Sequence, residues 1–128
     1  MGDEREMIVS NSGPLIHLAK AGRLELLKEL FGEVIIPYEV KIEVIDGGKD
    51  EGMADAFLIE SEIENGWIVI DKSNNTKLKE LAKSAGIHIG EAAAIMLAKS
   101  MKCPFLIDDL AARSQKSRHW RRLKSLEG

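Results

Sequence analysis

The sequence predicts an α/β fold in which helices flank a mainly parallel sheet of about four to five strands. Short β-branched or apolar runs alternate along the chain with longer segments of helical periodicity. Strands that are joined through helices pair in parallel, because the connection must cross back over the sheet. The 128 residues contain no repeat, low-complexity stretch or linker, so we expect a single domain.

Four apolar runs are the predicted strands, and each is bounded by turn-forming or helix-starting residues. They cover residues 7–10, 34–36, 67–70 and 103–107.

Helical periodicity fills the intervals between these runs. The first helix follows the turn Asn11-Ser12-Gly13-Pro14, where we expect Ser12 or Gly13 to be the N-cap and Pro14 to lie in the first turn. Further helices are predicted at residues 24–31, 37–46, 50–65, 78–85 and 91–98, with another from residue 108.

The composition is that of an ordinary globular domain, with 45% hydrophobic and 30% charged residues. No apolar run reaches the roughly 18 residues of a membrane span, and the amino terminus lacks the order of a signal peptide. The single cysteine, Cys103, cannot form an internal disulfide, which favours a reducing cytoplasm.

Charge is distributed unevenly around the net value of −3. Residues 113–128 hold six basic side chains against one acid, on an otherwise acidic chain. A basic end of this kind contacts phosphates in some proteins and is only a solvated tail in others, and the sequence leaves both interpretations open. We therefore divide the domain, residues 1–128, into a core at 7–113 and a basic C-terminal segment at 114–128.

Acidic side chains occur where an α/β sheet brings the carboxyl ends of its strands together. Asp108 and Asp109 follow the last predicted strand, Glu43 lies in the helix after the second, and Glu91 opens the apolar helix. Carboxylates that converge are costly unless a cation neutralises them, and oxygen ligands suit a divalent cation. Asp46, Asp71 and the acids of residues 60–64 are instead expected to be solvated.

Four blocks of the sequence, in order, resemble the PIN domain, and most closely the prokaryotic branch that is similar to VapC-type toxins. They are IVSNSGPLI at residues 8–16, IPYEVKIE at 36–43, GEAAA at 90–94 and LIDDLAAR at 106–113. The resemblance implies a three-layer α/β/α fold and a Mg²⁺- or Mn²⁺-dependent endoribonuclease. It also implies RNA as the substrate, a homodimer, and a small antitoxin protein as the partner.

The resemblance also implies which residues form the site. Those implied as metal ligands are Asn11, Glu43, Glu91, Asp108 and Asp109, of which the four acids are also the catalytic residues. Ser12 and Arg113 are the expected substrate contacts. Asn11 departs from the family pattern, since relatives carry an acid there; an amide oxygen can still bind Mg²⁺ but adds no charge, so we expect weaker metal binding.

Each of these residues also has a purely structural interpretation. Glu91, Asp108 and Asp109 suit helix amino ends, Glu43 could be solvated beside Glu39, and Asn11 suits a turn. The three histidines lack metal-ligand spacing and are interpreted as structural.

Two other functions therefore compete with the enzyme. One is a degenerate PIN domain that binds RNA or a protein without cleavage, and the other is a subunit in which the acids only cap helices.

Overall fold

The computed structural model describes residues 6–50, 52–73 and 77–107. Within them the protein forms a parallel sheet of four strands in the order β3-β2-β1-β4. The strands are β1 Met7–Ser10, β2 Glu33–Pro37, β3 Ile68–Asp71 and β4 Phe105–Leu106. Helices cover both faces of the sheet, which confirms the predicted three-layer α/β/α fold.

The first strand has the predicted bounds, whereas each of the others differs by one or two residues at either end. The fourth strand is the shortest, because only Phe105 and Leu106 are in register with β1, opposite Val9 and Ser10. Before it, the carbonyl of Pro104 still accepts a hydrogen bond of 3.0 Å from the Val9 N–H.

The strand order creates a switch point at one edge of the sheet. The chain runs outward from β1 through β2 to β3, and then returns to place β4 on the other side of β1. The connection that follows β1 leads to one side of the sheet while β4 pairs with β1 on the other, so the switch point lies between β1 and β4. In open α/β sheets, ligands bind in the crevice at such a point.

The helices described are α1 Ser12–Lys20, α2 Glu25–Leu30, α3 Tyr38–Lys41, α4 Gly47–Asp50, α5 Ala54–Glu64, α6 Leu78–Ala85 and α7 Ile89–Met101. A five-residue π-helical segment, Ile42–Asp46, joins α3 to α4. None of these helices is long and apolar enough to cross a membrane.

Two helix predictions need correction. Pro37 does not open the helix: its extended backbone (φ −71°, ψ 160°) makes it the last residue of β2 and the residue before α3. The helix predicted at residues 50–65 begins only at Ala54, because Met53 is extended with ψ 124°.

Alternate residues of the strands face opposite helical layers, as a period of two requires. Ile8, Val34, Ile36 and Ile68 pack under α1, α2 and α5, in the larger core. Val9 and Ile35 pack against the small side chains of α7, including Ala94 and Ala98. This second layer carries the buried helix expected from the apolar run, and it brings the amino end of α7 close to the sheet.

The acids of residues 60–64 are not all merely solvated, as the sequence led us to expect. Glu62 Oε1 accepts hydrogen bonds from Asn65 Nδ2 at 3.0 Å and from Trp67 Nε1 at 2.7 Å. These bonds, that of Asn65 first, lower the pKa of Glu62 below its usual value. Glu62 thus satisfies the only polar group of a buried indole where α5 leads into β3.

Candidate active site

Asn11 is the residue at the carboxyl end of β1, on the switch-point edge of the sheet. Its N–H donates to the Leu106 carbonyl at 3.1 Å, which extends the pairing of β1 with β4 by one step. Its side-chain Oδ1 accepts a 2.8 Å hydrogen bond from the Ser12 N–H. Asn11 is therefore the N-cap of α1, and the expectation that Ser12 or Gly13 would cap this helix was wrong.

The capping hydrogen bond does not use the full accepting capacity of the Asn11 side chain. An amide oxygen has two lone pairs, so one hydrogen bond from Ser12 does not exhaust its capacity to accept. The residue is also half-buried, so it is not closed to solvent. A metal-binding role for Asn11 stays a prediction, and it would have to coexist with the cap.

Ser12 is the first residue of α1 and is only 7% exposed. Little of its surface can meet a substrate in this conformation. Its predicted substrate contact accordingly has less structural support than the roles of the acids.

Glu43 lies in the π-helical segment between α3 and α4. Single turns of π-helix are rare and occur frequently at functional sites. The Glu43 side chain is 39% exposed, and its Oε1 lies 3.9 Å from His88 Nδ1. Glu43 therefore reaches from the helix after β2 to the residues that begin α7.

The surroundings of Gly90 show how closely Glu43 approaches α7. This glycine is buried in the first turn of α7, and a Cβ atom there would lie 3.0 Å from Glu43 Oε1. The absent side chain thus makes room for the carboxylate. No sequence motif that we considered predicts this contact, although the block GEAAA contains the glycine.

His88 caps α7, in agreement with the structural role predicted for it. Its Nδ1 accepts a 3.2 Å hydrogen bond from the Gly90 N–H, which requires an unprotonated Nδ1. While this cap is made, the contact between His88 and Glu43 is not an ion pair. The charge of Glu43 thus remains available to a cation.

Glu91 follows Gly90 directly, in the first turn of α7, and is half-buried. A carboxylate in this position interacts favourably with the positive end of the helix dipole. Three pairs of packed elements, α3 with α7, α1 with the π-helical segment, and α7 with β1, connect the carriers of Asn11, Glu43 and Glu91. The elements that carry these three residues are thus packed against one another, and Glu43 reaches the first turn of α7.

The assembly is incomplete within the described ranges. Residues 6–50, 52–73 and 77–107 contain no group of three or more His, Cys, Asp or Glu side chains placed to hold a metal ion. Asp108, Asp109 and Arg113 follow the described part of the chain, so their predicted roles stay predictions. The helix predicted from residue 108 also lies outside it.

The donors that are described fit a hard divalent cation. Carboxylate and amide oxygens are the usual protein ligands of Mg²⁺ and Mn²⁺, and Mg²⁺ often takes only one or two carboxylates while keeping several waters. Glu43, which contacts Gly90, and Glu91, the next residue in the chain, are two carboxylates of this kind. A soft or redox metal is not favoured by this set.

Two further acids at the same edge of the sheet were missed as functional candidates. Glu39 lies in the first turn of α3, and Asp71 is the last residue of β3. Asp71 was expected to be a solvated turn residue; it is half-buried, and its Oδ1 accepts a 2.8 Å hydrogen bond from the Ser73 N–H. Its position at the carboxyl end of a predicted strand was the signal that could have identified it.

The described part of the chain is thus an α/β domain with a parallel sheet, a switch point and acids at the carboxyl edge of the sheet. A family model described as a PIN domain matches residues 7–119 of this chain. The chain belongs to the PIN domain family, whose members are generally nucleases that use divalent metal ions. No curated protein and no solved structure gives a significant match.

Proposed function

We propose that this protein is a Mg²⁺- or Mn²⁺-dependent endoribonuclease that acts as the toxin of a cytoplasmic toxin–antitoxin pair. The single observation that carries the proposal is the contact of Glu43 with the first turn of α7, where Oε1 occupies the space a Gly90 side chain would fill. The contact supports the proposal because Gly90 directly precedes Glu91, so the elements that carry these two acids meet although the acids are far apart in sequence. A helix-capping role for Glu91 alone does not require that approach.

The proposed chemistry assigns simple tasks to the chain. Glu43 and Glu91, with Asn11 and Asp108 or Asp109, would hold the cation. When bound, a divalent cation stabilises charge on the phosphoryl oxygens and lowers the pKa of a coordinated water. Arg113 and the basic C-terminal segment would hold the RNA backbone through its phosphates.

The decisive experiment measures RNA cleavage by the wild type and by Glu91→Gln, with Mn²⁺ or Mg²⁺ and with a chelator. Removal of a charged metal ligand is expected to lower the cleavage rate by at least about a hundredfold, and the chelator should abolish cleavage by the wild type. The matched control is Glu80→Gln, because Glu80 is likewise a first-turn helix acid but is exposed to solvent on α6. Equal cleavage by Glu91→Gln and wild type would remove the enzyme assignment at this site.

One observation favours a second function, a PIN domain that binds RNA or a protein without cutting. Asn11 stands where relatives carry an acid, and its amide oxygen already accepts the capping hydrogen bond. This alternative predicts RNA or partner binding that persists in the chelator, with no cleavage under any metal. A homodimer and an antitoxin partner remain part of the proposal, to be tested by sedimentation and by co-purification from the native operon.

A further inference from the structure

A cavity of about 180 Å³ lies between the carboxyl edge of the sheet and the α6–α7 pair. It is separate from the contact of Glu43 with Gly90, neither of which lines it. One wall is apolar and comes from the two helices, through Leu78, Ala93, Met96 and Leu97. The cavity opens to solvent, since its lining includes Ser100, which is exposed.

The opposite wall is polar and acidic. Glu39 comes from the first turn of α3, and Asp71 from the end of β3. Asp71 Oδ1 accepts hydrogen bonds from both the N–H and the hydroxyl of Ser73, and neither of these two bonds involves Oδ2. The cavity therefore offers hydrogen-bond acceptors beside an apolar surface.

An apolar wall facing two carboxylates suits some parts of a nucleic acid better than others. Two carboxylates repel a phosphate, so the cavity does not suit the RNA backbone. A nucleobase has apolar faces that pack on side chains and an edge that donates hydrogen bonds, as unstacked bases do in single-stranded RNA. Guanine presents two adjacent N–H groups on that edge, which one carboxylate can accept together.

The cavity also lies close enough to the candidate active site to serve it. Glu39 and Glu43 are four residues apart on consecutive helical turns, a separation on the order of 6 Å along the axis. On the other side α7 contributes Glu91 to the candidate site and Ala93 to the cavity. A phosphodiester at the candidate site would thus have a neighbouring base within reach of the cavity.

We propose that this cavity receives one base of the RNA beside the cleaved bond and that Glu39 and Asp71 favour guanine there. The inference rests on the proposed RNA-directed function, and it adds the part of the substrate that is read and the residues that read it. Glu39 and Asp71 contact the base in this proposal, while Ser73 orients Asp71.

The test compares base preference, not only rate. Pools of short RNA with all four bases at each position are cleaved with Mn²⁺, and the products are sequenced; binding to the same pools is measured by competition in chelator. Glu39→Gln is expected to lower the preference for guanine about five- to hundredfold, the range that one good bidentate contact provides, with little change at other bases. The matched control is Glu25→Gln, because Glu25 is also a first-turn helix acid but lies on α2, away from the cavity.

A second variant blocks the cavity without touching its acids. Ser100→Phe adds a ring at the exposed mouth and should reduce the same preference, whereas Ser84→Phe on the exposed surface of α6 should not. Circular dichroism confirms that each variant is folded. This pair keeps the inference testable if Glu39→Gln is unstable.

The outcomes separate this inference from the proposed function. RNA cleavage or binding without base preference, or with a preference that Glu39→Gln and Ser100→Phe leave intact, overturns the base-binding role while the nuclease stands. A preference that is lost in both variants, but not in their controls, supports it even if only binding is observed. Absence of both cleavage and RNA binding removes the proposed function and this inference together.

Discussion

Among single residues, the side chain at position 11 has two possible roles, one in the helix and one in the candidate site. Asn11 caps α1 through Oδ1, and it occupies the place where the family resemblance implies a charged metal ligand. Asparagine and aspartate are about equally good N-caps, so the cap alone does not explain the amide. The difference between them is a negative charge at the switch-point edge of the sheet.

Substitutions at position 11 separate the helix-capping role from the metal-binding role. Asn11→Asp should retain the cap and bind Mn²⁺ several-fold more tightly, because the affinity of a hard cation rises with the number of charged ligands. Asn11→Ala should lose about 0.5–2 kcal/mol of stability through the missing cap. Calorimetric titration with Mn²⁺ and urea unfolding in chelator measure these effects. Unchanged Mn²⁺ affinity in Asn11→Asp would show that position 11 serves the helix only.

The residue scale also shows where sequence reasoning stops. The pairing of an acid in the helix after β2 with the acid that opens α7 was predicted, and the structure brings their carriers together. The contact itself depends on the absence of a side chain at Gly90 and on the π-helical turn at Glu43. Hydrophobic periodicity in the sequence predicts neither feature. Glu39 and Asp71 were not predicted as site residues, because the role proposed for them depends on a cavity whose lining comes from parts of the chain far apart in sequence.

At the scale of the element, sequence patterns predicted most of the fold, since every predicted strand and helix within the described ranges exists. The existence of each strand and helix was predictable because apolar periodicity over a whole segment indicates which face is buried. The boundaries of the elements were less predictable. Pro37 and Met53 precede their helices because their backbones are extended, a conformation that depends on the neighbouring strands and helices. The single helix predicted at residues 37–46 is two consecutive helical pieces, α3 and the π-helical segment, and α4 follows them directly.

The short helix α4 allows packing to be separated from helix propensity. A Cβ at Gly48 would lie 2.7 Å from Ala56 Cβ on α5, whereas one at Gly47 would meet its nearest atom, the Ile42 carbonyl oxygen, at 3.7 Å. Both glycines are helical, so either substitution by alanine gains similar backbone entropy.

We therefore expect Gly47→Ala to stabilise the protein by about 0.4–1 kcal/mol. Gly48→Ala should be less stable than Gly47→Ala by about 1–3 kcal/mol, because α4 and α5 must move apart to admit the methyl group. Urea unfolding of the two variants, side by side, gives the comparison. Equal stabilities would mean that α4 is not held against α5 in solution.

At the scale of the whole molecule, the candidate site joins parts of the chain that fold from separate connections. Glu43 lies in the connection from β2 to β3, whereas Glu91 lies in the connection that returns from β3 to β4. A cation held by both would act as a cross-link that exists only in the folded state. Its binding energy would therefore add directly to the stability of the domain.

This linkage gives a prediction that needs no RNA. Saturating Mn²⁺, at about 100 times its dissociation constant, should stabilise the wild type by about 2.7 kcal/mol and raise its melting temperature by several degrees. Glu43→Gln and Glu91→Gln should lose most of that rise, and Glu80→Gln, on the exposed surface of α6, should keep it. Melting curves with Mn²⁺ and with chelator measure the effect. A rise that survives in both site variants would place the cation elsewhere, and the two acids would then be left with helix-end roles alone.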